Sequence, residues 1–151
     1  MSRPEPDYTI ENLEAVPRAE FTEFTRNDAL HLGLEALGVF REWELDLMVD
    51  VHIGDELAFR AQTGSTGQKN ADVIVGKRAI ATHFARPSLL VRLQSEADPS
   101  LLADFPEGTR VHGGCIPLFV GGAVAATLST SGEPDVVDHQ AGAEALRRFM
   151  A

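Results

Sequence analysis

The side chains of this 151-residue chain that best suit metal or nucleophilic chemistry are five histidines and one cysteine. No two histidines have the H-x-x-x-H spacing that places two metal ligands on one face of a zinc-binding helix. His139 lies in the first turn of a predicted helix, where the positive end of the helix dipole favours a neutral imidazole. A neutral imidazole can ligate a metal, so we predict His139 as the metal-ligand candidate.

Cys115 follows His112 by three positions in a predicted strand. Residues three apart on a strand point to opposite faces, which excludes a catalytic dyad between them. A small hydrolase or redox enzyme that uses Cys115, together with a more distant histidine, stays open as an alternative, although a buried free cysteine usually acts as a small hydrophobe. The bare backbone of Gly113-Gly114 would let a ligand come close, so His112, Gly113 and Gly114 are candidate ligand contacts.

Lys77 and Arg78 are adjacent on a predicted helix and are candidates to pair with the carboxylates of a small anionic ligand. A second anion site is conceivable where the S-T-S-G turn precedes the last helix, because helix N-termini attract phosphate. However, Glu133, Asp135 and Asp138 already place negative charge there. The sequence therefore argues against nucleotide binding at this helix.

The overall composition excludes several classes of partner. The net charge of −10 and the lack of a basic stripe argue against nucleic-acid binding. No apolar run approaches the roughly 20 residues that span a bilayer, which argues against a membrane protein. The N-terminus lacks the apolar core of a signal peptide, and a single cysteine excludes an internal disulfide framework. We therefore expect a cytoplasmic location.

The hydrophobic pattern predicts an α+β fold, because hairpins interrupted by helices imply a mainly antiparallel sheet packed with helices. We expect residues 1–19 to be a flexible tail or short helix, and residues 20–151 to be a single domain. A fifth strand is possible near Phe21–Phe24. The other predicted elements are a helix at 27–42 after a Thr25–Asp28 capping box, strands at 45–53 and 57–62, a helix at about 70–86 capped by Asn70, a short helix capped by Ser88, strands at 114–120 and 123–130 around Gly121-Gly122, and a helix at 136–150 capped by Asp135.

Five sequence segments together resemble the haem-degrading, HbpS/GlcG-like family, in its branch of short proteins. They are G-G-C-I-P-L at 113–118, the glycine turn at 121–122, S-G-E-P-D-V-V-D-H at 131–139, D-V-H-I-G-D-E-L-A-F at 50–59 and N-A-D-V-I-V-G-K-R at 70–78. The chain departs from that branch at Val73, where relatives tend to have tryptophan, and at Pro87-Ser88, where they tend to have paired serines. The resemblance implies a profilin-like fold with a five-stranded antiparallel sheet, assembly into homo-oligomers and, in some members, binding or degradation of haem.

Two hypotheses follow from the residues and the resemblance together. In the first, the protein is a cytosolic homo-oligomer that binds haem or another small ligand between its central helix and the sheet or at a subunit interface. The ligand contacts would then come from His112, Gly113, Gly114, Lys77, Arg78 and His139. In the alternative, it is a non-catalytic assembly or partner-binding protein without a cofactor.

Overall fold

A computed structural model describes residues 4–151, and the first three residues of the predicted tail lie outside this part. In chain order the elements are α1 (Ile10–Glu14), β1 (Ala19–Phe21), α2 (Arg26–Trp43), β2 (Met48–Ile53), β3 (Glu56–Gln62), α3 (Gln68–Phe84), α4 (Ser88–Ala97), a 3-10 helix (Pro99–Leu102), β4 (Cys115–Val120), β5 (Ala123–Ser131) and α5 (Asp135–Met150).

The five strands form one sheet in the order β1-β4-β5-β2-β3, which confirms the predicted α+β fold. Neighbouring strands are antiparallel except for β1, which runs parallel to β4. The β4–β5 hairpin turns at Gly121 and Gly122, whose φ angles of 61° and 81° suit the glycines predicted there. Because β1 has three residues, it pairs with Leu118–Val120 and leaves the first half of β4 at an open edge.

One face of the sheet carries the main hydrophobic core under α2 and α5. Strand alternation places Val49 and Val51 of β2, Leu118 of β4 and Leu128 of β5 on this face, all fully buried. Helix α2 begins at the predicted capping box. The helix is therefore fixed at its start by local sequence and held along its length by burial of its apolar stripe.

The opposite face, under α3, is unusually polar. In strand register, Cys115, Ser129, Asp50 and Arg60 form one row across four neighbouring strands. Arg60 donates two hydrogen bonds to the fully buried Asp50, with Nε–Oδ1 at 2.8 Å and Nη2–Oδ2 at 2.7 Å. This bidentate pair supplies the partner that a buried carboxylate requires.

Of three predicted helix caps, Asn70 takes part in capping from inside its helix, whereas Ser88 and Asp135 have other roles. Asn70 lies inside α3, where its side chain accepts the backbone N–H of Gly67. Ser88 Oγ accepts the N–H of Cys115 at 3.0 Å, and Asp135 Oδ2 accepts the N–H of Gly113 at 2.8 Å. The predictions for Ser88 and Asp135 were wrong because these side chains hold the chain as it enters β4, while prolines occupy the N-cap positions of both helices.

Across residues 4–151, the helices are all too short or too polar to cross a bilayer.

Candidate functional site

A buried ion pair joins two of the segments that carry the family resemblance. Lys77 Nζ of α3 lies 3.0 Å from Asp138 Oδ2 of α5 and donates to the backbone oxygen of Thr130 in β5 at 2.7 Å. The two charged side chains are only 2% and 3% exposed. Lys77 therefore ties α3 to β5 and α5, and its charge is already matched inside the protein.

Gly114 makes this ion pair possible. A Cβ atom there would lie 2.7 Å from Lys77 Nζ and 2.5 Å from the Thr130 oxygen, and its φ of 129° also disfavours a side chain. At the neighbouring Gly113, a Cβ atom would lie 2.9 Å from the side chain of Leu89 in α4. The close approaches that the two glycines permit in this structure are thus made by backbone and side-chain atoms of the protein itself.

Asp138 is the centre of a small hydrogen-bond network at the start of α5. Its Oδ1 accepts the N–H of Glu133 at 3.0 Å, and its backbone oxygen accepts from Thr130 Oγ1 at 2.7 Å. Burial raises the pKa of Asp138 to about 6, and the nearby Lys77 opposes that rise. The network fixes the first turn of α5 against β5 and so sets the direction of the next residue, His139.

His139 is buried, with 5% of its surface exposed, and it lines a large groove. Its Nδ1 atom has no hydrogen-bond partner among the described residues. Burial lowers the pKa of His139 to about 4, and Asp135 opposes that shift, so the imidazole is neutral at physiological pH. The prediction of a neutral ring agrees with this shift, although burial is its main cause. The ring of Tyr8 stands edge-on to the imidazole, with centroids 5.0 Å apart and planes at 88°.

The groove has a volume of about 1010 Å³ and runs along the open edge of β4, between the N-terminal segment, α4 and α5. This volume is at the upper end of the range typical of small-molecule and cofactor sites. Helix α5 contributes one face of its surface, because residues three, four and seven apart lie in line on a helix. The apolar residues lining the groove include Leu13, Val16, Leu90, Ile116, Pro117, Phe119, Ala143, Leu146 and Met150.

Three arginines also line the groove, against one acidic side chain, that of Glu14. The guanidinium of Arg18 stacks 4.3 Å from the ring centroid of Phe119, and Arg86 Nη1 donates to Gln94 Oε1 at 2.7 Å. Arg147 lies two helical turns after His139 on α5 and pairs with Glu144. The groove thus combines apolar walls, a neutral buried imidazole and guanidinium groups that can donate hydrogen bonds to the carboxylates of a ligand.

The structure separates the remaining predicted contacts from this groove. His112 is exposed in a shallow depression of about 490 Å³, together with Arg92, Arg110 and Asp135. Arg78 donates to the backbone oxygen of Gly54 in the β2–β3 turn at 3.1 Å. Of the six predicted contact residues, Lys77 and Gly114 meet at the ion pair, and His139 alone lines the groove.

Cys115 does not have the properties of a nucleophile. It is fully buried, and burial raises the pKa of its thiol to about 11, against smaller opposing effects of the Ser129 hydroxyl and of Arg78 and Lys77. The reactive form of cysteine is the thiolate, which these surroundings suppress.

The groove residues that were not predicted from sequence include Tyr8, Arg18, Arg86 and Arg147. Of these four, only Arg147 could have been inferred from sequence, because its spacing from His139 places both residues on one face of the predicted last helix. The others come from separate segments that meet only in the folded chain.

The similarity of this chain to known proteins extends over most of its length. Residues 24–147 match the sequence family described as haem degrading protein HbpS-like. A UPF0303 protein of Streptomyces coelicolor is 30% identical over 148 residues, covering 94% of this chain and 94% of the relative. Among solved structures, that of the Ybr137w protein has a TM-score of 0.81 at 22% identity, covering 94% of this chain and 88% of that one. A complex of PduOC with haem has a TM-score of 0.66 at 14% identity, covering 82% and 92% of the two chains.

The ion pair predicts a large loss of stability for Lys77→Met. The substitution leaves the Asp138 carboxylate buried without its cation, which costs about 3–5 kcal/mol in comparable buried pairs. Urea unfolding at pH 7 measures this loss. Lys69→Met is the matched control, because Lys69 is exposed on the same helix. Equal unfolding free energies for the two variants would contradict the role of the pair.

Burial of a neutral imidazole predicts a specific loss of stability in acid. Because the pKa of His139 is about 4 in the folded chain and about 6.5 when unfolded, its contribution is complete above pH 6.5 and is lost as the pH falls toward 4. At pH 5 the stability lost through His139 amounts to about 2 kcal/mol, because each pKa unit corresponds to about 1.36 kcal/mol.

His139→Phe isolates this contribution because it keeps a ring against Tyr8 and removes the titration. Asp138, whose raised pKa acts in the opposite direction, is present in both proteins and cancels in the comparison. Between pH 7 and pH 5, urea unfolding is expected to show a larger loss in wild type than in the variant. Parallel pH profiles would rule the assignment out.

Proposed function

The chain belongs to the HbpS-like family of haem-degrading proteins, and from this we propose that it binds haem in the groove, with His139 as the iron ligand. The observation that carries the proposal is the state of His139. It is a buried, neutral imidazole in the wall of a large groove, and its Nδ1 atom has no partner. Imidazole in this state is the usual axial ligand of haem iron.

The rest of the groove fits the same ligand. Its volume of about 1010 Å³ and its apolar walls can bury the flat, apolar body of a tetrapyrrole. Arg18 and Arg86 would hold the propionates, since a guanidinium can donate two parallel hydrogen bonds to a carboxylate. Arg147 would add a single hydrogen bond from Nη1, because its Nε and Nη2 already donate to Glu144 at 2.8 and 2.7 Å. Bound haem iron would supply redox and oxygen chemistry. The chain's own contribution is to bind, to orient the ring through the arginines and to exclude water with Ile116, Leu146 and Met150.

We further propose that the protein works as a homo-oligomer in the cytoplasm. Leu30 and Leu34, one turn apart on α2, are 49% and 54% exposed, and Leu57 is 43% exposed on the edge strand β3. Large apolar side chains left in water favour burial against a second copy of the chain. A single, buried cysteine is compatible with a reducing compartment.

The iron ligand is tested by titrating the purified protein with haemin and recording the Soret band. Wild type is expected to give a shifted band that saturates at one haem per chain. His139→Ala should lose the histidine-ligated spectrum and bind at least about tenfold more weakly, whereas His112→Ala should behave as wild type because His112 lies in the separate depression. Wild-type behaviour of His139→Ala would refute the assignment. An oligomer that takes up no haem at all would favour the partner-binding alternative.

The arginines predict a dependence on the ligand's carboxylates. Arg86→Gln and Arg147→Gln should each weaken haemin binding about tenfold or more, since a hydrogen bond to a charged group contributes about 1.5–3 kcal/mol. Neither change should alter the binding of haemin dimethyl ester, which lacks free carboxylates. Arg110→Gln, exposed and outside the groove, is the control. If the ester loses as much affinity as haemin, these arginines do not contact the propionates.

A further inference from the structure

We infer that Tyr8, with the N-terminal segment of residues 8–18 that carries it, is a gate that controls access to His139. This inference rests on the proposed haem site. Tyr8 and His139 both line the groove, and their rings are in contact, with centroids 5.0 Å apart at 88°. The phenol ring therefore occupies part of the volume from which a ligand would reach the imidazole.

The segment is attached in a way that allows it to move. The backbone hydrogen bonds of its helix, α1, are internal to the segment. For example, Leu13 N–H donates to the oxygen of Thr9, and Ala15 N–H donates to the oxygen of Glu11. Its anchor to the domain is apolar, through Leu13, which is buried in a cluster with Leu89 and Leu90 of α4. Outward movement would therefore separate apolar surfaces without breaking a hydrogen bond of the sheet.

The far end of the segment is fixed. Arg18 stacks on Phe119 of β4, and the next residue, Ala19, pairs with Leu118 in the sheet. A segment held at residues 18–19 and attached elsewhere by apolar contacts can swing about that end. The cation–π contact and the first residue of β1 thus form the natural pivot of the gate.

The gate lies outside the part of the chain that the family match covers. That match begins at residue 24, whereas Tyr8, Leu13, Glu14, Val16, Pro17, Arg18 and Ala19 make up one wall of the groove. Residues inside the matched region supply the imidazole and the opposite wall. The segment that would govern access to His139 thus forms one wall of the groove but lies outside the family match.

The chain contains one tyrosine, which makes the gate directly observable. Protein labelled with 3-fluorotyrosine gives a single ¹⁹F resonance, from position 8. Addition of zinc protoporphyrin, which is diamagnetic and accepts one axial ligand, should shift this resonance as Tyr8 leaves the imidazole. An unchanged resonance at saturation would overturn the gate.

Association kinetics with haemin give an independent test. Tyr8→Ala should bind haemin about tenfold faster or more in stopped-flow measurements, and Tyr8→Phe, which keeps the ring, should bind at the wild-type rate. Glu11→Ala, an exposed change in the same segment, is the matched control. A rate for Tyr8→Ala equal to that of wild type overturns the gate.

The outcomes also separate the gate from the haem site itself. A His139-dependent Soret band in wild type, together with no effect of Tyr8 on rate or resonance, leaves the haem site standing and removes the gate. A Soret band in Tyr8→Ala but not in wild type supports the gate in its strongest form. The lack of a band in both proteins overturns both proposals.

Discussion

The structure depends above all on burying the charges of Lys77 and Asp138 together. Taking two such ions out of water costs several kcal/mol for each, so every group around them must be in place. Gly114 leaves room for the lysine, the Thr130 oxygen accepts its second hydrogen bond, and the N–H of Glu133 satisfies the other oxygen of Asp138. Successive residues on an α-helix are about 100° apart around its axis. Because the side chain of Asp138 points to Lys77, the side chain of His139 must point in another direction, which is toward the groove.

The same network shows where sequence reasoning succeeds and where it stops. Strand alternation, the Thr25 capping box and the Gly121-Gly122 turn are local patterns, and each predicted its element correctly. Ser88 and Asp135 have cap-forming side chains next to helix starts, so local rules assign them as caps. Their actual partners, Cys115 and Gly113, are 27 and 22 residues away. Likewise, nothing local to Lys77 reveals that its counter-ion lies 61 residues further along the chain.

The candidate site likewise has one part that could be predicted from sequence and one part that could not. His139 could be selected from sequence, because its position in a helix and its residue type are both local properties. The groove could not, since it forms only where the N-terminal segment, α4, the edge of β4 and α5 come together. The glycines and Lys77 were predicted as ligand contacts because they lie in distinctive motifs. In the folded chain these residues serve to bury a charge, and apart from His139, Ile116 and Pro117 the groove is lined by residues outside the motifs.

The open half of β4 has a consequence for the solubility of the protein. An uncovered strand edge normally presents N–H groups that can recruit a strand from another molecule and begin aggregation. In β4 the N–H of Cys115 is already taken by Ser88 Oγ, and two residues further on, on the same side of the strand, Pro117 has no N–H to offer. A groove can therefore stay open along this edge without exposing a template for intermolecular β-pairing.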